Sequence, residues 1–177
     1  MAGKRCPRYA WVMKNEYLPV KAVIESIVEE TTDTKTFTLR LVGKAVRRFR
    51  YKPGQFLMLS LPGYGEAPFT FASALRKDAR FEVSVRRVGS LTAALHKLKE
   101  KDIVGVRGPY GNWFPLDKIK GKDILFIAGG CWIAPLRSLI QHVFAHRKDY
   151  GKVEVIYGCR APKDIFYKKE IMAWEGD

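Results

Sequence analysis

The pattern of apolar residues changes near Gly111, and this change constrains the fold more than any other feature of the 177-residue chain. Before Gly111, short segments alternate apolar and polar residues between Gly, Pro and charged turns, which is typical of strands with one buried face. This spacing favours an antiparallel barrel over an alternating βαβ sheet. The alternation predicts six strands: Val20–Glu29, Thr34–Leu41, Gln55–Leu61, Pro68–Ala74, Arg80–Arg87 and Ile103–Val106.

One helix interrupts these strands. Leu91, Leu95 and Leu98 share a face at i, i+4 and i+7, and Ser90 precedes them as a candidate cap, so the pattern predicts a helix over Leu91–Lys99.

After Gly111 the order becomes strand, helix, strand, helix, which begins a parallel, doubly wound sheet. Two strands are fewer than a nucleotide-binding domain of this class contains. We therefore expect the chain to stop within that domain or another chain to complete its sheet. The predicted elements are Asp123–Ala128, Ala134–Arg147, Lys152–Tyr157 and Lys163–Trp174, and the predicted units are an N-terminal extension (1–16), a barrel (17–115) and a partial α/β domain (116–177).

Composition narrows the class of protein. Apolar residues make up 47% of the chain and the net charge is +14, which indicates a globular protein that attracts nucleic acid, anionic membranes, phosphate-bearing cofactors or an acidic protein. Three widely separated cysteines and three ungrouped histidines predict neither a disulfide framework nor a metal site. The scarcity of Asn and Gln, two of each, leans toward a heat-adapted source.

No apolar run approaches the roughly 18 residues of a membrane span. The basic start of the chain lacks the apolar core of a secretory signal, so we expect a cytoplasmic protein without a membrane span.

Three segments are suited to placing main-chain N–H groups against a phosphate or a flavin ring: Ala67–Ser73, Gly89–Leu95 and Ala128–Pro135. In series with Tyr51–Phe56 and Gly108–Gly111, they resemble the ferredoxin–NADP reductase superfamily. A narrower resemblance, to flavin-bearing gamma subunits of soluble nickel–iron hydrogenases (sulfhydrogenases), sulfite-reductase B subunits and dihydroorotate dehydrogenase electron-transfer subunits, is carried by Asn15–Pro19, Pro62–Phe69 and Tyr157–Asp164. The resemblance implies a Greek-key, FAD-binding barrel followed by an NAD(P)-binding α/β domain.

The first segment resembles the family's Arg-x-Tyr-Ser/Thr motif. There the resemblance implies a Thr70 hydroxyl near flavin N5, as the catalytic contact, and a Phe69 ring bordering the flavin. Ala67 replaces the motif's arginine, so the FAD phosphates need other donors, for which we select Arg86 and Arg87. Alternatively, Phe69 and Phe71 are core residues and Thr70 a surface position. Two further residues complete this predicted contact set: Pro68 and Val85.

The second segment places Gly89, Ser90, Leu91 and Thr92 at a helix start, where the first N–H groups lack partners within the helix. In the family this site holds the diphosphate of FAD, and FMN would leave much of it unused. The alternative is an ordinary capped helix.

The third segment resembles the family's Gly-Gly-x-Gly-x-x-Pro turn, which implies NAD(P) contacts at Gly129, Gly130, Cys131 and Pro135, with Arg160 near the ribose or its phosphate. Trp132 replaces the third glycine, so its indole is expected to fill the nicotinamide cleft or force the turn outward. For Cys131 we favour a buried structural thiol over a redox thiol. A solvated arginine is an equal alternative for Arg160.

The resemblance implies an FAD-dependent NAD(P)H oxidoreductase that passes electrons to an iron–sulfur or hydrogenase-type redox subunit with an acidic surface, with no metal in this chain. One alternative is a flavin-bearing assembly subunit without nucleotide turnover, favoured by Trp132 and the incomplete sheet. A third hypothesis, a basic nucleic-acid-binding barrel, is disfavoured by the scattered Lys and Arg residues.

Overall fold

A computed structural model describes residues 17–43, 49–76 and 78–174. The predicted N-terminal extension lies outside the described residues. The first part of the chain forms six strands and a short helix, α1: β1 Val20–Thr31, β2 Thr34–Leu41, β3 Phe56–Leu61, β4 Gly65–Thr70, β5 Arg80–Arg86, α1 Ser90–Leu95 and β6 Ile103–Tyr110.

These strands form one antiparallel sheet in the order β4-β3-β6-β1-β2-β5. The position of β6 between β1 and β3 gives the non-sequential order expected of Greek-key connections. The Ala72 N–H, just after β4, donates to the Glu82 carbonyl of β5 at 2.8 Å, which joins the two edges of the sheet. The predicted antiparallel fold of this half is confirmed.

The inner face of this sheet forms an apolar core because the strands alternate, with side chains such as Leu39, Leu57 and Val83 fully buried. An aromatic stack reinforces it. The rings of Tyr51 and Phe71 lie 3.8 Å apart and nearly parallel. The Tyr51 hydroxyl donates to the Ala74 carbonyl at 2.8 Å, which gives the buried phenol a partner.

The second part has two parallel strands, in register from Ile124↔Val153 to Gly129↔Gly158. A helix over Ile133–Ala145, α3, covers one face, where its apolar residues form a second core with the strands. The predicted strand–helix–strand order is therefore confirmed. The elements are α2 Leu116–Ile119, β7 Ile124–Gly129, α3 Ile133–Ala145, β8 Val153–Gly158 and α4 Lys168–Ala173.

Several predicted elements have different bounds. Helix α1 ends at Leu95, short of its predicted end at Lys99, and strand β6 continues to Tyr110, beyond its predicted end at Val106. Strand β4 begins at Gly65, which has a positive φ of 81° after a tight turn, and it ends at Thr70, beyond which Ala72 and Ala74 bond outside the ladder. The predicted helix Lys163–Trp174 is divided, because Tyr167 adopts a left-handed conformation before α4.

In the parts of the chain that the structure describes, every helix is too short or too polar to span a bilayer. The same residues contain no group of three or more potential metal-ligating His, Cys, Asp or Glu side chains.

Candidate functional site

A cavity of about 640 Å³ lies where the carboxyl ends of β7 and β8 face the barrel. Open α/β sheets bind ligands at this edge. The cavity brings together five of the predicted site residues, Arg86, Gly129, Gly130, Cys131 and Arg160. Its remaining lining comes from the end of β1 and the turn that follows it, and from the end of β8 and the segments that follow it: Thr31, Asp33, Gly158, Cys159, Asp164 and Phe166.

The glycine turn after β7 is open. A Cβ atom added at Gly129, Gly130 or Gly158 would meet nothing within 4 Å, and Gly130 has a φ of 51°, which favours glycine. The chain then enters α3 through one turn of 3-10 helix, with Pro135 in the first turn of α3. The open space beside this turn fits a phosphate group, which could approach the main chain of the glycines closely.

Trp132 does not line this cavity, and it is 71% exposed. Its indole therefore does not fill the cavity. It stands at the N-terminal end of α3, with a helical φ of −68°.

The two described cysteines are both exposed at the cavity. The prediction of a buried structural Cys131 was wrong, because its turn projects beyond the sheet edge instead of packing beneath α3. Cys159 lies one residue past β8, and its Sγ is 3.3 Å from the Ala161 carbonyl oxygen.

Two arginines give the cavity positive charge, and each has a carboxylate partner. Arg86 Nε lies 2.7 Å from Asp33 Oδ2, and Arg160 Nε lies 3.2 Å from Asp164 Oδ2. Because a guanidinium has five N–H donors, both arginines retain donors for a phosphate. The Arg160 side chain is 82% exposed, as the solvated alternative requires.

Asp33 is held as an anion. Burial opposes its ionisation, but hydrogen bonds from Arg86, Thr31 and Thr34 outweigh that effect and lower its pKa to about 2. Sequence reasoning missed this residue, since an aspartate in a tight turn has an ordinary local role.

Arg87 contributes its main chain, donating from N–H to the Asp33 carbonyl at 2.8 Å.

The segment predicted to border the flavin lies on β4, outside the lining of this cavity. Thr70 ends the strand opposite Phe56 and is half-buried, as is Phe69, which packs against the barrel core. Ala67 also packs there, whereas Pro68 is exposed. The Thr70 side chain is therefore partly accessible to a ligand at the end of β4.

The start of α1 is capped by a side chain from the first turn of the helix, that of Thr92. Thr92 Oγ1 accepts hydrogen bonds from the N–H groups of Val88 and Gly89, each at 2.9 Å, so its hydroxyl shapes the turn. Gly89 and Ser90 are exposed, while Leu91 is buried. No acidic residue occupies the first turn.

Val85, next to Arg86, has its side chain fully inside the barrel. The His96 ring donates from Nε2 to the Val85 carbonyl at 2.8 Å. Any ligand contact of Val85 is therefore made by its main chain.

Residues 21–114 match the family described as oxidoreductase FAD-binding domain, and residues 126–177 match the oxidoreductase NAD-binding domain. The first match covers more than half of the chain. The chain belongs to the oxidoreductase FAD-binding domain family. The two matches confirm the expected cofactor classes, FAD and NAD(P).

Curated relatives support the narrower resemblance. The chain is 37% identical over 159 residues to sulfhydrogenase 2 subunit gamma of Pyrococcus furiosus, covering 89% of this chain and 54% of the relative. It is 38% identical over 150 residues to a probable dihydroorotate dehydrogenase B (NAD(+)) electron transfer subunit of Methanocaldococcus jannaschii, covering 84% of this chain and 51% of the relative. The chain thus spans about half the length of these relatives.

Solved structures share the fold. The flavohem-like FAD/NAD-binding domain of nitric oxide dioxygenase from Vibrio cholerae has a TM-score of 0.76 at 20% identity, covering 88% of this chain and 69% of that one. A Neisseria gonorrhoeae ferredoxin NADP+ reductase with bound FAD and NADP has a TM-score of 0.72 at 22% identity, covering 86% and 62%. Both likenesses confirm the fold expected from the sequence.

Proposed function

We propose that this FAD-binding oxidoreductase chain is the flavin- and nucleotide-binding part of an electron-transfer subunit. The observation that carries this proposal is the cavity that unites the glycine turn after β7 with Arg86 of the barrel. FAD, when bound, takes a hydride from NAD(P)H and releases single electrons. The relatives with subunit names support an assembly role for this chain.

On the barrel, Thr70 is the proposed contact of the flavin ring, since it ends β4 beside Phe69, two residues before Ala72, whose carbonyl binds Arg137 of the second domain. The exposed start of α1, with Gly89 and Ser90, is the proposed diphosphate site. Arg87, also exposed, is a candidate donor there. Pro68 and the main chain of Val85 complete the proposed contacts.

In the α/β domain, we assign the nucleotide phosphates to the turn at Gly129 and Gly130. Arg160 is proposed to meet the ribose or its phosphate, with Cys131 and Pro135 bordering the site. We thus propose that residues 17–115 bind the flavin and residues 116–177 bind the nucleotide.

The partner is proposed to be an iron–sulfur or hydrogenase-type redox subunit. A net charge of +14 favours an acidic surface on that subunit, because opposite potentials steer association. We place the assembly in the cytoplasm, as the sequence predicts.

Anaerobic reduction tests this function. The full chain is loaded with FAD and mixed with NADH or NADPH, and flavin absorbance is followed, with dithionite as a control that bypasses the nucleotide site. Bleaching by a nucleotide supports the proposal. Bleaching by dithionite alone overturns it in favour of the assembly subunit.

That second candidate, a flavin-bearing assembly subunit without nucleotide turnover, is favoured by Trp132. The indole stands beside the open glycine turn, where the family motif has no side chain.

A further inference from the structure

A buried arginine joins the two parts of the chain. Arg137, one turn into α3, is 7% exposed. Its Nη1 donates to the Ala72 carbonyl at 2.7 Å and to Glu82 Oε2 at 2.5 Å, and its Nε donates to Glu170 Oε2 at 2.5 Å. One guanidinium thus holds the barrel, through Ala72 and Glu82, and helix α4, through Glu170.

Neighbouring groups fix the orientation of this guanidinium. It lies over the Tyr167 ring, 4.4 Å from the ring centroid, and Tyr167 N–H donates to Glu30 of β1 at 2.8 Å. Tyr167 keeps a left-handed φ of 53°, which a bulky residue adopts only when its surroundings impose it. The ring is held between the two parts of the chain.

A second hydrogen-bonded path runs beside the first. Gln141, one turn further along α3, accepts a hydrogen bond from the Ala74 N–H at 2.9 Å and donates to Glu170 Oε1 at 2.7 Å. Glu170 therefore binds Arg137 and Gln141 with its two oxygens. Both paths lead from α3 to the main chain just after β4.

The hydrogen bonds of Arg137 connect the two regions of the proposed site, the flavin contact on β4 and the nucleotide turn before α3. Ala72 is two residues beyond Thr70, and α3 begins directly after the turn that contains Gly129 and Gly130. Between Ala72 and α3, Arg137 is a direct link with a defined geometry. Five N–H donors in a rigid plane hold such a geometry, whereas a lysine ammonium does not.

We propose that Arg137 is a positioning residue that fixes the nucleotide turn relative to Thr70, and so sets the approach of a bound nucleotide to the flavin. This role rests on the proposed function. Hydride transfer needs its reacting atoms about 3–3.5 Å apart, and a displacement of about 1 Å lowers the rate about a hundredfold. The C4–H bond of the reduced nucleotide breaks, its electron pair and hydrogen form the N5–H bond of the flavin, and the nucleotide leaves oxidised.

The test compares Arg137→Lys with Arg80→Lys in the full chain. Arg80 is the matched control because it also binds two carboxylates, Glu25 and Asp78. Both of these partners belong to the barrel part of the chain, and the Arg80 side chain is exposed to solvent. We expect R137K to slow flavin reduction by nucleotide tenfold to a hundredfold, with FAD affinity and dithionite reduction within threefold of the unsubstituted protein. R80K should match the unsubstituted protein in all three.

A second readout needs no flavin. In the apoprotein, hydrogen exchange of the Ala74 amide is followed by NMR and should be at least tenfold faster in R137K. The Ala74 N–H donates to Gln141, Gln141 is held by Glu170, and Glu170 is in turn held by Arg137. Unchanged exchange and unchanged nucleotide reduction in R137K would overturn the proposal. If the unsubstituted protein is not reduced by nucleotide, the proposed function fails, and unchanged Ala74 exchange would still contradict the connection itself.

Glu170→Gln serves if R137K does not fold, since it leaves Arg137 paired with Glu82. We expect a threefold to tenfold slower reduction by nucleotide and faster Ala74 exchange. Rates equal to those of the unsubstituted protein in both measurements would contradict the role of Arg137.

Discussion

Arg86 and Asp33 form an ion pair at one end of the barrel, 2.7 Å between Nε and Oδ2, that ties the end of β5 to the β1–β2 turn beside the cavity. Register pairing places Arg86 opposite Thr34, next to Asp33. Asp33 therefore holds the Arg86 guanidinium beside the cavity and neutralises part of its charge.

The first prediction concerns acid stability. The folded pKa of Asp33, about 2, lies below its ordinary 3.8, so its stabilising contribution is present above pH 3.8 and is lost as pH falls toward 2. Because the Asp33 side chain is about a third exposed, we expect only about 1 kcal/mol. Urea unfolding at pH 5 and pH 2.5 should show the unsubstituted protein losing about 1 kcal/mol more than Asp33→Asn.

Asp117→Asn is the control, because Asp117 is an exposed carboxylate on α2 that does not line the cavity. It should retain the pH dependence of the unsubstituted protein. The same pH dependence in Asp33→Asn would show that the Arg86 pair does not lower the pKa of Asp33 as described.

The second prediction concerns Trp132. Replacing it with Gly should strengthen the binding of an oxidised nucleotide at least fivefold, because glycine would let a phosphate approach the main chain more closely than the exposed indole does. Glycine is tolerated at the start of a helix, so stability should change little. Titration of the FAD-loaded protein with an oxidised nucleotide, followed by difference absorbance, measures the affinity.

Trp113→Gly is the matched control. Trp113 is 50% exposed beneath Lys52, away from the glycine turn. Its removal should leave nucleotide affinity unchanged. Equal affinities in all three proteins would mean that Trp132 does not restrict the site.

The third prediction concerns Thr70. Thr70→Val keeps the size of the side chain and removes its hydroxyl, so FAD should still bind while reduction by nucleotide slows about tenfold to a hundredfold. Thr70→Ser should restore most of the rate. Stopped-flow absorbance measures it, with Thr38→Val as control, since Thr38 bonds Ser26 elsewhere in the barrel. A rate in Thr70→Val equal to that of the unsubstituted protein would remove Thr70 from the site.

The fourth prediction concerns the contact between Gly54 of the barrel and Phe114, which also packs against the second core. Gly54 has a φ of 98°, and an added Cβ would lie 3.0 Å from the Phe114 ring and 3.1 Å from its main-chain nitrogen. Gly54→Ala should cost about 2–3 kcal/mol of stability, from the left-handed backbone and the clash together. Gly63→Ala, with a φ of 83° and open space, should cost about 1 kcal/mol. Equal losses would show that Phe114 does not press on Gly54.

The sequence predicted the order of the elements because apolar alternation and helical spacing are local. The bounds of β4 depended on more distant partners. Ala72 and Ala74 leave the ladder because Glu82 and Gln141 bind their N–H groups, and no local pattern shows that. Tyr167, whose left-handed conformation divides the last predicted helix, has no residue-type signal.

The candidate site was predicted through glycines and motif order, whereas residues that act through pairing were missed. One feature of the sequence pointed to Arg137. It interrupts the apolar stripe formed by Ile133, Ala134 and Ile140, and a cation on such a face needs buried partners. Those partners, Glu82 and Glu170, come from other elements and were invisible before the fold was known.

The measurement that tests the central claim most directly is a titration of the purified chain with FAD and, separately, with FMN, followed by visible absorbance and flavin fluorescence. The account predicts one FAD per chain, bound at least a hundredfold more tightly than FMN, because the exposed start of α1 is proposed to hold a diphosphate. Absence of FAD binding, or equal affinities for the two flavins, would contradict it.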